Sequence, residues 1–305
     1  MAEARRSRGL RWAVFASAAF LLFLAALFAI AYHSFRFSSD YTYTVDGSGG
    51  KIGIVDLEGV ILSSKQTVDA LHKFADDSSI RAIIIRINSP GGGAAASEEI
   101  YREVKRIRDE KHKRIVASVS TVGASGAYYV ASATDRIYSD GASIVGSIGV
   151  IAEWFNYEEL VRWAKLQAIV FKAGEFKDTG SPLRQMTPEE KVYFQGLIDN
   201  MHQQFIHAVA EGRRVPDESV RAIANGKVWT GQQALGMKLI DQVGDFQTAV
   251  RETAEAVGIH GKPALVHYRK PGISLLDLLF GDASEYLPDR AKLLQSNIGF
   301  YYLWK

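Results

Sequence analysis

The chain has 305 residues, of which 47% are hydrophobic, and it has no cysteine, so disulfides, thiol nucleophiles and thiolate metal sites are excluded. This length suits a membrane segment plus one large domain or two small ones. Four of the 36 basic and one of the 34 acidic residues lie in residues 1–11, which leaves 32 basic and 33 acidic side chains and no broad basic face for nucleic acid.

The N-terminal region has the pattern of a membrane anchor. Residues 12–32 contain no charge, and as a helix of about 31 Å they would cross a bilayer core of roughly 30 Å. The arginines of residues 1–11 predict a cytoplasmic N-terminus and an extracytoplasmic remainder. Two alternatives stay open. Ala29-Ile30-Ala31 fits a signal-peptide cleavage site, and a buried core helix is possible, although it fits poorly with the arginine cluster.

A polar and aromatic linker over residues 33–50 is followed by alternating strand and helix patterns. The predicted strands are Ile52–Leu62, Ala82–Ile87, Ile115–Val119, Ile137–Tyr138, Ile144–Ile151 and Ala168–Lys172. The predicted helices are Thr67–Asp76, Ala94–Asp109, Ala124–Ala133 and Tyr157–Leu166. Strands separated by helices predict an α/β domain with a largely parallel sheet.

The next helix has a clear start, because Thr187, Pro188 and Glu190 form a capping-box pattern with proline at the first helical position. It is expected to reach about Gly212, and shorter helices with glycine stops are expected over residues 217–258. The aromatic tail, Ile298–Trp304, favours core or subunit packing over contact with a membrane surface.

A glycine-rich segment, Asn88–Gly93, lies between a predicted strand and a predicted helix. Gly91, Gly93 and Ala96 fit a dinucleotide-binding fingerprint, but a serine–threonine pair near residue 120 replaces the acid that this fingerprint needs. Two interpretations remain: a tight turn that requires glycine, and a loop whose N–H groups bind an oxyanion.

Ser125 lies in the segment T-V-G-A-S-G-A-Y-Y-V-A-S-A, between small residues and at a predicted helix start. Unpaired backbone N–H groups at such a start favour developing negative charge. The segment is not the G-x-S-x-G elbow, because position 127 is alanine. A Ser–His–Asp triad would also need a histidine placed to act as the base. None of the seven histidines lies in a glycine-rich or strand-end context that suggests this role: His33, His72, His112, His202, His207, His260 and His267.

Lys177, in A-G-E-F-K-D, is a candidate base. A lysine serves as a base when burial lowers its pKa from about 10.4 towards 7 or 8. Without further information, a lone lysine in a loop is expected to be a solvated surface residue, and composition alone would not single out Lys177.

The order N-S-P-G-G, G-A-S-G-A-Y-Y, V-G-S-I-G-V and A-G-x-x-K-D resembles the membrane-anchored signal peptide peptidase SppA family, in its short form. A later segment, A-N-G-K-V-W-T-G-Q-Q-A-L-G-M-K-L-I-D-Q-V-G, is also similar, so the resemblance covers about residues 50–260. It implies a ClpP/crotonase-like α/β superhelix, here over residues 51–260, followed by a C-terminal extension, residues 261–305.

The resemblance implies a Ser–Lys dyad, with Ser125 as nucleophile and Lys177 as general base. It further implies that the N–H groups of Gly92 and Gly126 bind the oxyanion, and Ser147 is the candidate for orienting the lysine amine. One position departs from many members: Ala127 stands where they have glycine, and its methyl group could narrow the substrate groove.

Members of this family are homo-oligomeric rings in which the serine of one subunit meets the lysine of its neighbour. The implied substrates are cleaved signal peptides and other apolar, unfolded segments at the outer face of the cell membrane, with no cofactor or metal and with lipid contact through residues 12–32. Two rivals remain: a crotonase-type acyl-CoA enzyme, which needs no nucleophilic serine, and a non-catalytic membrane scaffold.

Overall fold

A computed structural model describes residues 20–22, 42–45, 47, 49–268 and 300–304. The chain divides into a larger unit, Thr44–Tyr268 with Leu294–Lys305, and a smaller one, Met1–Tyr43 with Arg269–Leu293. The predicted span over residues 12–32 lies outside the described residues except for 20–22, which are helical. Among the helices of the described part, none has the length and apolar character to cross a membrane.

Short strands alternate with helices along the described chain. The strands are β1 (Thr42–Val45), β2 (Lys51–Glu58), β3 (Ile80–Ser89), β4 (Gly91–Gly93), β5 (Arg114–Ala124), β6 (Arg136–Ser139), β7 (Ile144–Gly146), β8 (Ile151–Ala152), β9 (Val228–Thr230), β10 (Gln242–Val243), β11 (Ala264–Tyr268) and β12 (Phe300–Leu303). The helices are α1 (Lys65–Asp76), α2 (Ala94–Lys111), α3 (Gly126–Ser132), α4 (Glu158–Trp163), α5 (Pro188–Arg213), α6 (Asp217–Arg221), α7 (Gly231–Gly236) and α8 (Phe246–Ala256).

The central sheet of the larger unit runs in the order β11-β2-β3-β5-β6-β10, and every neighbouring pair in that order is parallel. Its middle strand β3 is apolar on both faces, as a strand covered on two sides must be. Ile83 and Ile85 pack into the larger core with residues of α1, α2, α3 and α5. Ile84 faces the other way and packs with Ala249 and Val250 of α8. The predicted α/β class with a largely parallel sheet is confirmed.

The start of α5 follows the predicted capping box. The Thr187 side chain accepts from the Glu190 N–H at 3.2 Å, and the Glu190 carboxylate accepts from the Thr187 N–H at 2.9 Å. Pro188 is the first helical residue, and the helix ends at Arg213, one residue beyond the expected end.

Three predicted strands differ from the structure. Ile52–Leu62 stops as a strand at Glu58, because Gly59 turns the chain with a φ of +67°. Ile144–Ile151 is broken into β7 and β8 by positive φ at Gly146 and Ser147. Ala168–Lys172 is not a strand: its residues are exposed and pair with no strand that the structure describes.

A second, three-stranded sheet in the larger unit has the order β4-β12-β8. Its central strand is β12 from the aromatic tail, which pairs antiparallel with β4 on one side and β8 on the other. The glycine-rich segment is therefore a strand with the tail along one edge, rather than a loop at a dinucleotide site.

Candidate active site

Ser125 occupies the single position between β5 and α3. Its backbone has φ of 54° and ψ of −121°, a region that residues with a Cβ rarely adopt. The Ser125 N–H donates to the carbonyl of Gly146 at 2.7 Å, and its carbonyl accepts from the Tyr129 N–H at 2.8 Å. The hydroxyl does not cap α3. The strained turn is therefore held by main-chain bonds, which leaves the side chain for another role.

Two glycines adjoin this serine. A Cβ atom on Gly126 would lie 3.2 Å from the nitrogen of Gly92 and 2.3 Å from the hydroxyl oxygen of Ser97. A Cβ on Gly92 would lie 2.2 Å from the carbonyl oxygen of Ile61. Neither position has space for a side chain, and the two main-chain nitrogens are close neighbours next to Ser125.

The polar groups of Gly92 face the tail. On the far side of β4, the carbonyl of Gly91 and the N–H of Gly93 bond Ile61 at 2.9 and 2.8 Å. Successive residues of a strand direct their polar groups to opposite sides, so the N–H and carbonyl of Gly92 point to β12. There Gly92 pairs with Tyr302.

Lys177 lies on a segment of different character, residues 153–186, which we call the arm. Lys177 is exposed, and its N–H closes a turn to the carbonyl of Gly174 at 3.2 Å. Large apolar side chains of the arm are also exposed, including Trp163 at 82% and Phe171 at 95%. Within the described part of this single chain, no hydrogen bond joins the Lys177 amine to the Ser125 hydroxyl. The Ser–Lys dyad stays a prediction.

An ion-pair network fixes the chain directly after Lys177. Arg184 bonds both Asp178, at 2.9 Å, and Glu190, at 2.5 Å, and Lys172 bonds Asp178 at 2.5 Å. Hydrogen bonds from Arg184 and then from the Thr187 N–H lower the pKa of Glu190 to about 2. The bonds to Arg184 and Lys172 lower the pKa of Asp178 well below its usual range. The network ties the arm to the first turn of α5.

Ser147 follows Gly146, the residue whose carbonyl bonds the Ser125 N–H. It has a φ of 53°, is buried, and its N–H donates to the carbonyl of Lys227 at 2.8 Å. It adjoins the serine half of the site, and its proposed role towards Lys177 stays a prediction. Ala127 is fully buried in the larger core, in the same cluster as Tyr302 of the tail, and the expected narrowing of the groove stays a prediction.

Histidines do not complete a triad within the described chain. His72 pairs with Glu103, His207 with Asp217, and His267 with Asp56. None of the described histidines hydrogen-bonds Ser125. Among the residues that the structure describes, no group of three or more histidine and acidic side chains converges as metal ligands would.

Sequence reasoning missed an aromatic pocket beside Ser125, which Tyr302 fills. The ring of Tyr129 stacks on Tyr302 with centroids 5.3 Å apart, and the Phe205 ring lies 4.8 Å away. The Tyr302 hydroxyl donates to the carbonyl of Met201 at 3.1 Å. The tail's aromatic composition was the available signal, but it did not show which strand the tail would join.

Comparison with known proteins identifies the class. Residues 107–260 match the model of peptidase family S49. A protein named as a protease in Methanocaldococcus jannaschii is 35% identical over 66% of this chain and 64% of its own length. One named as a protease in Synechocystis sp. is 37% identical over 68% of this chain and 75% of its own. The chloroplastic serine protease SPPA of Arabidopsis thaliana is 31% identical over 79% of this chain but 36% of its own.

These matches support a class of serine peptidases. The chain belongs to peptidase family S49, some of its relatives are named SppA, and its central α/β sheet fits the ClpP-like fold of that family. It spans 64%, 75% and 36% of the lengths of the three relatives.

Proposed function

We propose that this chain is a membrane-anchored serine endopeptidase in which Ser125 attacks the peptide and Lys177 of a second copy acts as the base. The observation that carries the proposal is the strained backbone of Ser125 beside the adjoining N–H groups of Gly92 and Gly126. A serine held in an unfavourable conformation next to paired N–H donors suits nucleophilic attack with oxyanion stabilisation.

In the proposed reaction, the neutral Lys177 amine takes the proton of the Ser125 hydroxyl while the serine oxygen bonds the carbonyl carbon. The negative charge on the former carbonyl oxygen is stabilised by the N–H groups of Gly92 and Gly126. The C–N bond then breaks, and the leaving amine takes the proton from lysine. Water, deprotonated by the same lysine, attacks the acyl-serine, and a carboxylic acid and the free hydroxyl result.

The exposed arm supports a partner copy as the source of the lysine. Its large apolar side chains, such as Trp163 and Phe171, are of the kind that subunit contacts bury. A heterologous contact of this kind, repeated around an axis, closes a ring. In such a ring each serine would meet the neighbour's Lys177, with Ser147 beside it, and burial would favour a neutral amine.

The proposed location and substrates come from the sequence. Residues 12–32 would anchor the chain in the cell membrane with residues 1–11 in the cytoplasm and the catalytic part outside. An enzyme fixed at the outer face would meet cleaved signal peptides and other apolar, unfolded segments. The resemblance to signal peptide peptidases supports the same substrate class.

A fluorophosphonate probe tests the nucleophile and the base together. We expect it to modify Ser125, identified by mass spectrometry of the labelled peptide, and to react about 10²- to 10⁴-fold more slowly with Lys177→Gln. Lys165→Gln is the matched control, because Lys165 is another exposed lysine of the arm. Labelling of a different serine, or an unchanged rate with Lys177→Gln, would refute the dyad; an acyl-CoA enzyme or a scaffold would not be labelled at Ser125.

A further inference from the structure

Ser97 is a fully buried serine close to the two glycines of the candidate active site. It lies near the start of α2, directly after the three alanines of residues 94–96. Serine favours a helix less than alanine does, because its hydroxyl competes for main-chain hydrogen bonds. A methyl group also suits a buried position better than a hydroxyl does. Helix formation and core packing therefore do not explain a serine at this position.

The hydroxyl of Ser97 contacts the main chain of both donor segments. It donates to the carbonyl of Gly93, the residue after Gly92, at 2.9 Å. Its oxygen is also the nearest atom to the position that a Cβ on Gly126 would occupy, at 2.3 Å. One hydroxyl thus joins β4, which carries the Gly92 N–H, to the first residue of α3, which carries the Gly126 N–H.

The strand β4 is held from another direction as well. The N–H of Gly93 donates to the carbonyl of Ile61 at 2.8 Å, and the N–H of Ile61 donates to the carbonyl of Gly91 at 2.9 Å. Two N–H groups stabilise one oxyanion only when both are held within about 0.5 Å of the productive geometry. A buried hydroxyl that contacts both segments is therefore placed to set the separation of the two donors.

We propose that Ser97 is a positioning residue that sets the separation of the N–H groups of Gly92 and Gly126. It acts through the two glycines, and this inference rests on the peptidase function proposed above. Loss of the hydroxyl leaves both donors present, but it removes the contact that holds the strand and the helix together at this point. Stabilisation of the transition state should weaken, while binding of the ground state should change little.

The rate at which a fluorophosphonate labels Ser125 measures this effect in the full chain without a known substrate. The phosphoryl oxygen gains negative charge as the serine attacks, so it needs the same two donors. We expect Ser97→Ala to lower the limiting rate of labelling about 5- to 30-fold, which is less than the loss of a whole donor. The reagent concentration that gives half of the limiting rate should stay close to the wild-type value.

Ser132→Ala is the matched control. Ser132 is another fully buried serine in a helix, and its hydroxyl donates to the carbonyl of Tyr129 at 2.7 Å, within α3. Each variant loses one buried hydroxyl and one hydrogen bond to a carbonyl of the preceding turn, so we expect similar losses of stability. The labelling rate of Ser132→Ala should nevertheless stay close to that of the wild type. Equal losses of rate in the two variants would overturn the positioning role.

Alanine at Gly126 tests the contact itself, independently of how stable Ser97→Ala is alone. The added Cβ would lie 2.3 Å from the Ser97 hydroxyl oxygen, whereas the Tyr302 carbonyl oxygen and the Gly92 nitrogen would be 3.1 and 3.2 Å away. Ser97→Ala removes the closest of these three atoms. It should therefore raise the labelling rate of Gly126→Ala several-fold, although it lowers that of the wild type. Losses that simply multiply in the double variant would contradict the proposal.

The positioning role and the peptidase function fail in different ways. If the wild type is labelled at Ser125 but Ser97→Ala behaves like Ser132→Ala, the positioning role is wrong and the peptidase proposal stands. If the wild type is not labelled at Ser125, both proposals are wrong.

Discussion

Ser125 lies in the packed interior between the sheet and its helices, whereas Lys177 lies on an arm whose apolar side chains face solvent. Around the serine, main-chain bonds, glycines and buried aromatic rings set each group in place. Close to the lysine, the ion pairs of Arg184 with Asp178 and Glu190 join the arm to α5. Within one chain, buried groups thus surround Ser125, while Lys177 lies on an exposed segment with large apolar side chains.

The largest expected effect is at the nucleophile. Ser125→Ala should lower kcat on a peptide substrate by about 10⁴-fold or more, because no acyl-enzyme can form. The circular dichroism spectrum should stay unchanged, since the hydroxyl does not cap α3. If a folded Ser125→Ala variant retains more than about a tenth of the activity, Ser125 is not the nucleophile.

A smaller loss is expected at the oxyanion donors, and neighbouring glycines make a matched pair. Gly92→Ala would place a Cβ 2.2 Å from the Ile61 carbonyl oxygen, so the strand must shift and displace its N–H. We expect kcat to fall about 10²- to 10³-fold.

Gly93→Ala is the control, because the nearest atoms would be 3.6 and 3.8 Å away and its φ is −56°. Its kcat should stay close to the wild-type value while Gly92→Ala is impaired. Equal losses in the two variants would indicate general damage to β4 rather than a role for one N–H.

The smallest expected effect is the loosening of the arm at low pH. The pKa of Glu190 is about 2, below its ordinary value of 4.5, so its stabilising contribution is present above about pH 4.5 and is lost as the pH falls towards 2. Hydrogen exchange of residues 178–190, corrected for intrinsic rates, should therefore be faster at pH 3 than at pH 6.

The control for that experiment is Arg184→Gln, which removes the cation that Asp178 and Glu190 share. Its exchange in the same residues should be fast at both pH values. Equal protection of the wild-type arm at pH 3 and pH 6 would show that the ion pairs do not hold it.

Local patterns in the sequence predicted the parts of the fold that neighbouring residues determine. The apolar run of β3 and the capping box at Thr187 and Glu190 both have the structure they predicted. The glycine segment and Ser125 were recognised because a strand followed by small residues and a helix restricts the backbone to few conformations. These elements depend on contacts within a few residues, which a sequence pattern records.

The structure differs from the sequence-based predictions where an element depends on residues that are distant in the sequence. Ala168–Lys172 has strand-forming residues, but a strand needs a neighbour for its main-chain groups, and none pairs with it among the described residues. Conversely, β12 pairs with β4, more than 200 positions earlier in the chain. No short-range pattern in Phe300–Leu303 specifies that pairing, so the pocket filled by Tyr302 could not be predicted.

The most direct test of the proposed dyad, shared between two copies, is to mix two inactive chains. Ser125→Ala and Lys177→Gln are each assembled alone and then co-assembled in equal amounts. If each site takes its serine and lysine from different copies, the mixture should regain about a quarter of the wild-type rate, the share of interfaces at which both intact residues meet. A mixed assembly, verified by mass spectrometry, that stays as inactive as its separate components would contradict the account.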